Sequence, residues 1–222
     1  KGQEAVARAQ SLAADRGHAQ IEPLHLLAGL LFGSFMHIIN ADKGYQANTV
    51  LAVDLTLPRS TYSDRETREN FFRQLLDNLS STPGVKSTAL VNALPLTGET
   101  WVDLVWTPDE VRPVAERPST NVRFISQDYF KTMGIPLHAG RIFDERDKER
   151  KVAVISERLA QKLWPQETMA VGRVFVTNET VEYEVIGVVG DVRANIDKAP
   201  AAIFYRPYWD TGRTEAIIVA QT

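Results

Sequence analysis

The 222-residue sequence predicts an α+β fold of two lobes, a β-α-β lobe and a smaller mixed, mainly β lobe, preceded by an N-terminal helical hairpin. Three observations carry that prediction. Leu51, Val53, Leu55 and Leu57 alternate with Ala52, Asp54 and Thr56, the period of two that marks a strand with one buried face. Phe71, Phe72, Leu75, Leu76 and Leu79 then form one apolar stripe at helical spacing. Beyond Val122, short apolar runs broken by turn residues dominate. Helices and strands that are segregated in this way favour α+β over an alternating α/β wind.

The hairpin is read from Ala5, Val6, Ala9, Leu12 and Ala13, which recur at helical spacing before a stop at Gly17. Pro23 suits the start of a second helix through Leu24, Leu27 and Leu31. Pro23 to Ala41 contains no formally charged residue and is just long enough to span a hydrocarbon core as a helix. Its two His, one Asn and one Ser leave a buried amphipathic helix as the alternative.

After the Leu51–Leu57 strand, Pro58 stops the chain, and Ser63 with Glu66 has the spacing of a capping box. The Phe71–Leu79 stripe should dock that helix on the sheet, since burying each such side chain is worth roughly 1.5–3 kcal/mol. Pro83-Gly84 ends the helix, and Val85–Leu94 reads as the second strand of the β-α-β unit. Residues 95–120 hold a short strand at Trp101–Trp106 and lead into the second lobe. There Val122–Ile125 is a strand, Gln127–Met133 a short helix capped by Ser126 and ended by Gly134, and Val152–Ile155 a buried strand. Glu157–Trp164 is an amphipathic helix stopped by Pro165; Val174–Val176, Glu182–Val189, Ala202–Tyr205 and Ala216–Ala220 are further strands.

Composition removes several classes of function. A net charge of −3 without a Lys/Arg cluster argues against nucleic acid as a partner, because phosphate binding rests on clustered cations. The absence of cysteine removes disulfides, thiolate zinc sites and thiol catalysis. No Walker A pattern is present, so no nucleotide cofactor is expected.

Candidate chemistry is sparse. His18 and Glu22 share an i, i+4 spacing, but Gly17 and Pro23 frame them as a loop, and His25, His37 and His138 are isolated. Ser156 precedes a helix with neither a G-x-S-x-G elbow nor an Asp-His pair, and reads as an N-cap. Gly187–Asp191 (GVVGD) lacks the following helix that a phosphate-cradling loop needs, so a strand end with an Asp-bearing turn is expected. The alternating charges of 144–150 read as a solvated loop. Trp101 and Trp106 should face opposite sides of their strand, the more exposed one being a candidate for partner contact. The expected site content is therefore no catalytic residue, no metal ligand and no cofactor.

Two resemblances add to this reading. Ala5–Leu31, and within it Ile21–Leu27 (IEPLHLL), resembles the first two helices of the Clp-chaperone N-terminal domain, which implies a module that binds substrates or adaptors. Ala28–Leu51, Pro83–Leu96 (PGVKSTALVNALPL), Val122–Phe143 (VRFISQDYFKTMGIPLHAGRIF), Val152–Val171 and Tyr183–Val192 (YEVIGVVGDV) follow in order. Together they resemble the MacB-like periplasmic core domain of bacterial ABC-transporter permeases, in the duplicated-permease form of acidobacteria. That resemblance implies a porter-like lobe beside a smaller mixed lobe, held on the periplasmic face of the inner membrane. It also implies transport powered by a separate cytoplasmic ABC ATPase, and a non-catalytic domain that couples motion to substrate or to a periplasmic partner protein. On these likenesses residues 1–27 are a Clp-like helical fragment and 28–41 the end of a transmembrane-type helix, with lipid contact through 24–39. Residues 42–222 are then the periplasmic core domain, C-terminally incomplete because the family continues into another helix and strand.

Overall fold

The computed structural model describes residues 2–15, 17, 20, 23, 25–28, 31, 43–46, 49–98, 101–167, 169–178 and 180–222. The chain divides into two compact units, Lys1–Asp42 and Lys43–Thr222. In the first unit, helix α1 (Gly2–Asp15) buries Ala9 and Ala13, one turn apart, and Gly17 follows with φ 68°. A helical stretch at 25–28 buries His25 and leaves Leu26 and Leu27 exposed. Most of Pro23–Ala41 lies outside the described residues, and among the described residues no helix is long and apolar enough to cross a membrane.

Among its described residues the second unit has ten strands: β1 (Val50–Thr56), β2 (Ser87–Val91), β3 (Val102–Trp106), β4 (Ser119–Ile125), β5 (Leu137–Gly140), β6 (Val152–Ser156), β7 (Val174–Thr177), β8 (Glu182–Val189), β9 (Ile203–Pro207) and β10 (Glu215–Gln221). Its helices are α2 (Arg65–Ser80), α3 (Tyr129–Met133) and α4 (Glu157–Leu163). The α+β class holds, and the arrangement is more specific than a mixed lobe. The pairing order is β1-β10-β2-β4-β3-β7-β8-β6-β9, and β9 pairs β4 as well, so the last six strands close on themselves as a barrel. Phe175 on β7 meets Phe204 on β9 at 5.0 Å between ring centroids, although β8 and β6 separate these strands in the sheet. That contact must therefore cross the barrel interior, where Tyr183 completes a cluster of fully buried rings.

The first lobe is the three-stranded sheet β1-β10-β2 with α2 on one face. β10 is antiparallel to both neighbours, so β1 and β2 run parallel with β10 inserted between them. Phe72 is buried against Leu57, Leu90 and Tyr208, and Phe71 and Leu76 pack beside it, so the stripe faces the sheet as its spacing requires. The expected buried face of the first strand is only half formed. Leu55 and Leu57 are covered, whereas Leu51 and Val53 are 63% and 60% exposed, because α2 lies over β2 and β10 rather than the outer strand.

Local signals also need correction. The cap of α2 is Asp64, which accepts from the Thr67 backbone N–H at 2.8 Å and the Thr67 hydroxyl at 2.7 Å, not the Ser63–Glu66 box. An Asp one position later satisfies the same orphan N–H with a full negative charge at the positive helix end. Ser126 does not cap α3; its Oγ accepts from Leu90 N–H at 2.9 Å and ties β2 to the end of β4. β5 is absent from the sequence reading. It forms where Gly140 and Gly187 let two backbones approach: a Cβ on Gly140 would lie 2.1 Å from the Ile186 carbonyl oxygen.

Candidate functional site

His18, Glu22 and His37 lie outside the described residues. Among the described residues no group of three His, Asp or Glu side chains is placed to hold a metal ion. Ser156 caps α4, accepting from Leu159 N–H at 3.2 Å, and also accepts from Ile203 N–H at 3.0 Å. Its hydroxyl is enclosed and committed to holding strand to helix. Gly187 sits inside β8 and no helix follows Asp191, as the sequence indicates. Trp101 is the more exposed of the two tryptophans, with the Arg213 guanidinium stacked over its ring at 4.5 Å.

The structure does bring together three groups that sequence distance hides. His138 on β5 pairs with Glu157 at the start of α4, Nδ1 to Oε1 2.7 Å. Asp191 accepts from the Arg158 backbone N–H at 2.7 Å. Burial pushes the Asp191 carboxyl above the usual carboxylate range, and the nearby Glu157 adds to that, against the pull of Arg158 and His138. His138 and Glu157 open onto a groove of about 540 Å³, floored by Trp164, Met169, Val171 and Val188. This is a largely apolar groove with a polar corner. Nothing local in the sequence predicts it, since β5 and α4 meet only through the register of β8 with β5 and β6.

The second feature is the joint between the lobes. β2 and β4 share a single bridge, Val91 to Ile125, flanked by Asn92 N–H donating to the Phe124 carbonyl at 3.1 Å. Across it lies a wedge, with Tyr129, Phe130 and Met133 of α3 buried against Ala89, Val91 and Val219 on one side and Tyr205 on the other. Gly134 ends this short helix at φ 65°, with Ile135 N–H returning to the Phe130 carbonyl at 2.8 Å. Behind the joint, a charged cleft of about 470 Å³ runs between α2 (Arg65, Glu66, Glu69) and the 148–151 segment. The ion pairs of its walls stay on their own side: Arg65–Glu69 at 2.6 Å, Lys151–Asp210 at 2.7 Å.

The 144–150 segment is more than a solvated loop. Asp147 is fully buried, held by Arg141 through Nη1 to Oδ2 at 2.6 Å and Nη2 to Oδ1 at 2.8 Å. Asp144 N–H donates to the same carboxylate at 3.0 Å, and Asp144 in turn caps the turn that carries it. The Arg141 fork holds the Asp147 carboxyl below its ordinary range. Alternating charge in sequence cannot separate such a clamp from a solvated run, because the deciding partner, Arg141, lies outside it.

A two-lobed domain, made of a barrel joined by one strand bridge and a helical wedge to a helix-covered sheet, is thus the class the geometry defines. The family model of the MacB-like periplasmic core domain matches residues 40–221, and the chain belongs to that family. The Clp repeat (R) N-terminal domain model matches residues 1–41. The fold is similar to that of the periplasmic region of MacB from Actinobacillus actinomycetemcomitans, with TM-score 0.50 and 20% identity, covering 83% of this chain and 78% of that one. It is similar also to the extracellular domain of the noncanonic ABC-type transporter YknZ from Gram-positive bacteria, with TM-score 0.50 and 18% identity, covering 78% of this chain and 83% of that one. A comparison with curated protein sequences finds no match.

Proposed function

We propose that this chain is the periplasm-facing core of an ABC-type permease of the bacterial inner membrane, a non-catalytic part that passes motion between the membrane and a substrate or periplasmic partner. The observation that carries this reading is the family match over 40–221. In this reading a cytoplasmic ABC ATPase supplies the energy, residues 28–41 are the end of a transmembrane-type helix with lipid along 24–39, and 42–222 form the periplasmic domain. Efflux fits the same arrangement.

The test uses the natural lack of cysteine. Cysteines at Glu66 and Lys148, on opposite walls of the cleft, would be joined by a bifunctional maleimide in the reconstituted transporter. Transport should fall while basal ATPase activity persists, and, with a disulfide in the reagent's spacer, cleavage of that disulfide by dithiothreitol should restore it. Undiminished transport in fully linked protein would refute the motion-coupling role.

The match of residues 1–41 favours a second reading for the first unit alone, a Clp-type module for substrates or adaptors. It predicts that unfolded-protein or adaptor binding disappears on removal of residues 1–41 and is unaffected by the maleimide link.

A further inference from the structure

A small pocket lies between the start of β4, the outer face of α4 and the 194–202 segment, on the opposite side of α4's first turn from the His138 groove. Its volume is about 150 Å³, and its lining includes Arg158, Lys162 and Lys198 together with Ser119, Asn121 and Asn195. Among the described residues no carboxylate lines it. In a chain of net charge −3, the described lining carries three cations, and the nearby acid is Asp191, which Arg158 attracts. Among the described residues none of the three forms an ion pair, although most other arginines and lysines of this lobe that border acids do. Lys162 reaches only the Ser119 carbonyl, at 3.4 Å.

The walls are fixed before any ligand arrives. Asn121 N–H donates to the Ala202 carbonyl at 2.9 Å, and the Thr120 hydroxyl donates to the same oxygen at 3.2 Å. Ile203 N–H donates to Ser156 Oγ, and the Arg193 guanidinium holds the Lys198 carbonyl. One wall group is unfinished. Asn121 is 5% exposed, and its Oδ1 has no hydrogen-bond partner.

We propose that this pocket binds a phosphate group. The size excludes a drug-sized ligand, which needs roughly 300 Å³ or more, yet holds several times the roughly 30 Å³ of one water. A phosphate carries about −1.5 to −2 charge at neutral pH, and one guanidinium fork with two ammonium groups supplies the matching donors. The group can belong to free phosphate or to an anionic phospholipid headgroup, and the chemistry is the same.

The full chain, labelled with ¹⁵N, would be titrated with inorganic phosphate at constant ionic strength. Saturable amide shifts confined to 119–121, 158–162 and 194–202 are expected, with affinity reduced roughly tenfold or more in a Lys162→Gln, Lys198→Gln double variant, as loss of charge-assisted bonds requires. Both lysines are exposed, so the variant should fold; Arg158→Gln is the independent second variant. In parallel, co-sedimentation with phosphatidylglycerol and phosphatidylcholine vesicles compares wild type with the double variant, so that any lipid contact through 24–39 cancels. Loss of both phosphate shifts and phosphatidylglycerol binding assigns the pocket to a headgroup. Loss of phosphate shifts alone assigns it to the free anion. Shifts no larger than chloride gives, or equal in the variants, overturn the proposal, and neither result bears on the maleimide test of motion coupling.

Discussion

β1, with its apolar alternation, and β6, a continuous apolar run, are both short apolar strands and meet opposite fates. In β6 every residue from Val152 to Ser156 is buried, because the strand is paired on both edges and covered on both faces. In β1 the outward half of the pattern, Leu51 and Val53, stands 63% and 60% exposed on an edge strand paired only with β10. In the barrel β6 has no free edge, whereas β1 leaves one along the open lobe, with Asp54 as the only charge on that strand. The period of two states which side chains share a face; it carries no information on whether anything covers that face.

The largest effect sharpens this contrast directly. Phe204→Ala, which empties the ring cluster inside the barrel, should cost about 3–5 kcal/mol, and Leu51→Ser with Val53→Ser within about 1 kcal/mol, read as urea midpoints at unchanged slope. Comparable losses at the two sites would break the comparison, since they would mean that β1's outer face is covered in solution.

The next effect concerns a hinge of strand and helix. Ser156→Ala removes the cap of α4 and leaves the buried Ile203 N–H without its acceptor, so a loss of about 2 kcal/mol is expected. Ser156→Thr, which keeps the oxygen, should recover part of it. A Ser63→Ala change, at a residue with no cap bond, should leave the midpoint unchanged.

Legibility in the sequence follows the range of the interactions. The apolar stripe of α2, the strands β6 to β10 and the cap at Ser156 depend on neighbours within a few residues, and all are readable. The closing pair of β4 with β9 joins residues some eighty positions apart, and nothing in either strand names its partner. β5 has a weak pattern, Leu-His-Ala-Gly, and exists because β8 offers it an edge. The same holds at the candidate sites. His138, Glu157 and Asp191 come from three segments, as do Arg158, Asn121 and Lys198, so each is visible in sequence only as an isolated polar residue.

A smaller effect tests the clamp that holds the 144–150 segment to the barrel. Asp147→Asn should cost about 1–2 kcal/mol: the carboxylate is fully buried, but its partner Arg141 is 37% exposed, which weakens the charge interaction by screening. The sign of the pH dependence is fixed. The folded-state pKa of Asp147 is depressed, so its contribution is whole above the unfolded-state value of about 3.9 and is lost as pH falls through that value towards the lower folded one. Below about pH 4 the wild type should therefore lose stability faster than the Asn variant. Parallel acid profiles of the two proteins would show that the Arg141–Asp147 pair contributes nothing to stability in this range.

The smallest effect separates two readings of one helix start. Ser63 and Glu66 have the spacing of a capping box, yet Asp64 accepts both bonds from Thr67, and the Asp64 carboxyl is lowered by those same bonds, the hydroxyl's first and the backbone N–H's second. An Asp at this position also meets the positive end of the α2 dipole, which a serine cannot do. Asp64→Ala should thus lower the thermal midpoint slightly, by less than the Phe204, Ser156 and Asp147 changes, and Asp64→Asn or Asp64→Ser should restore most of the loss at neutral pH. Glu66→Ala should do nothing. α2 sits on the open lobe and shares its core with β10 and β2, so fraying at residues 65–68 should appear in amide exchange as faster exchange of the first turn alone, with the barrel unchanged. If Glu66→Ala frays that turn and Asp64→Ala does not, the cap assignment is wrong and the box is the operative signal.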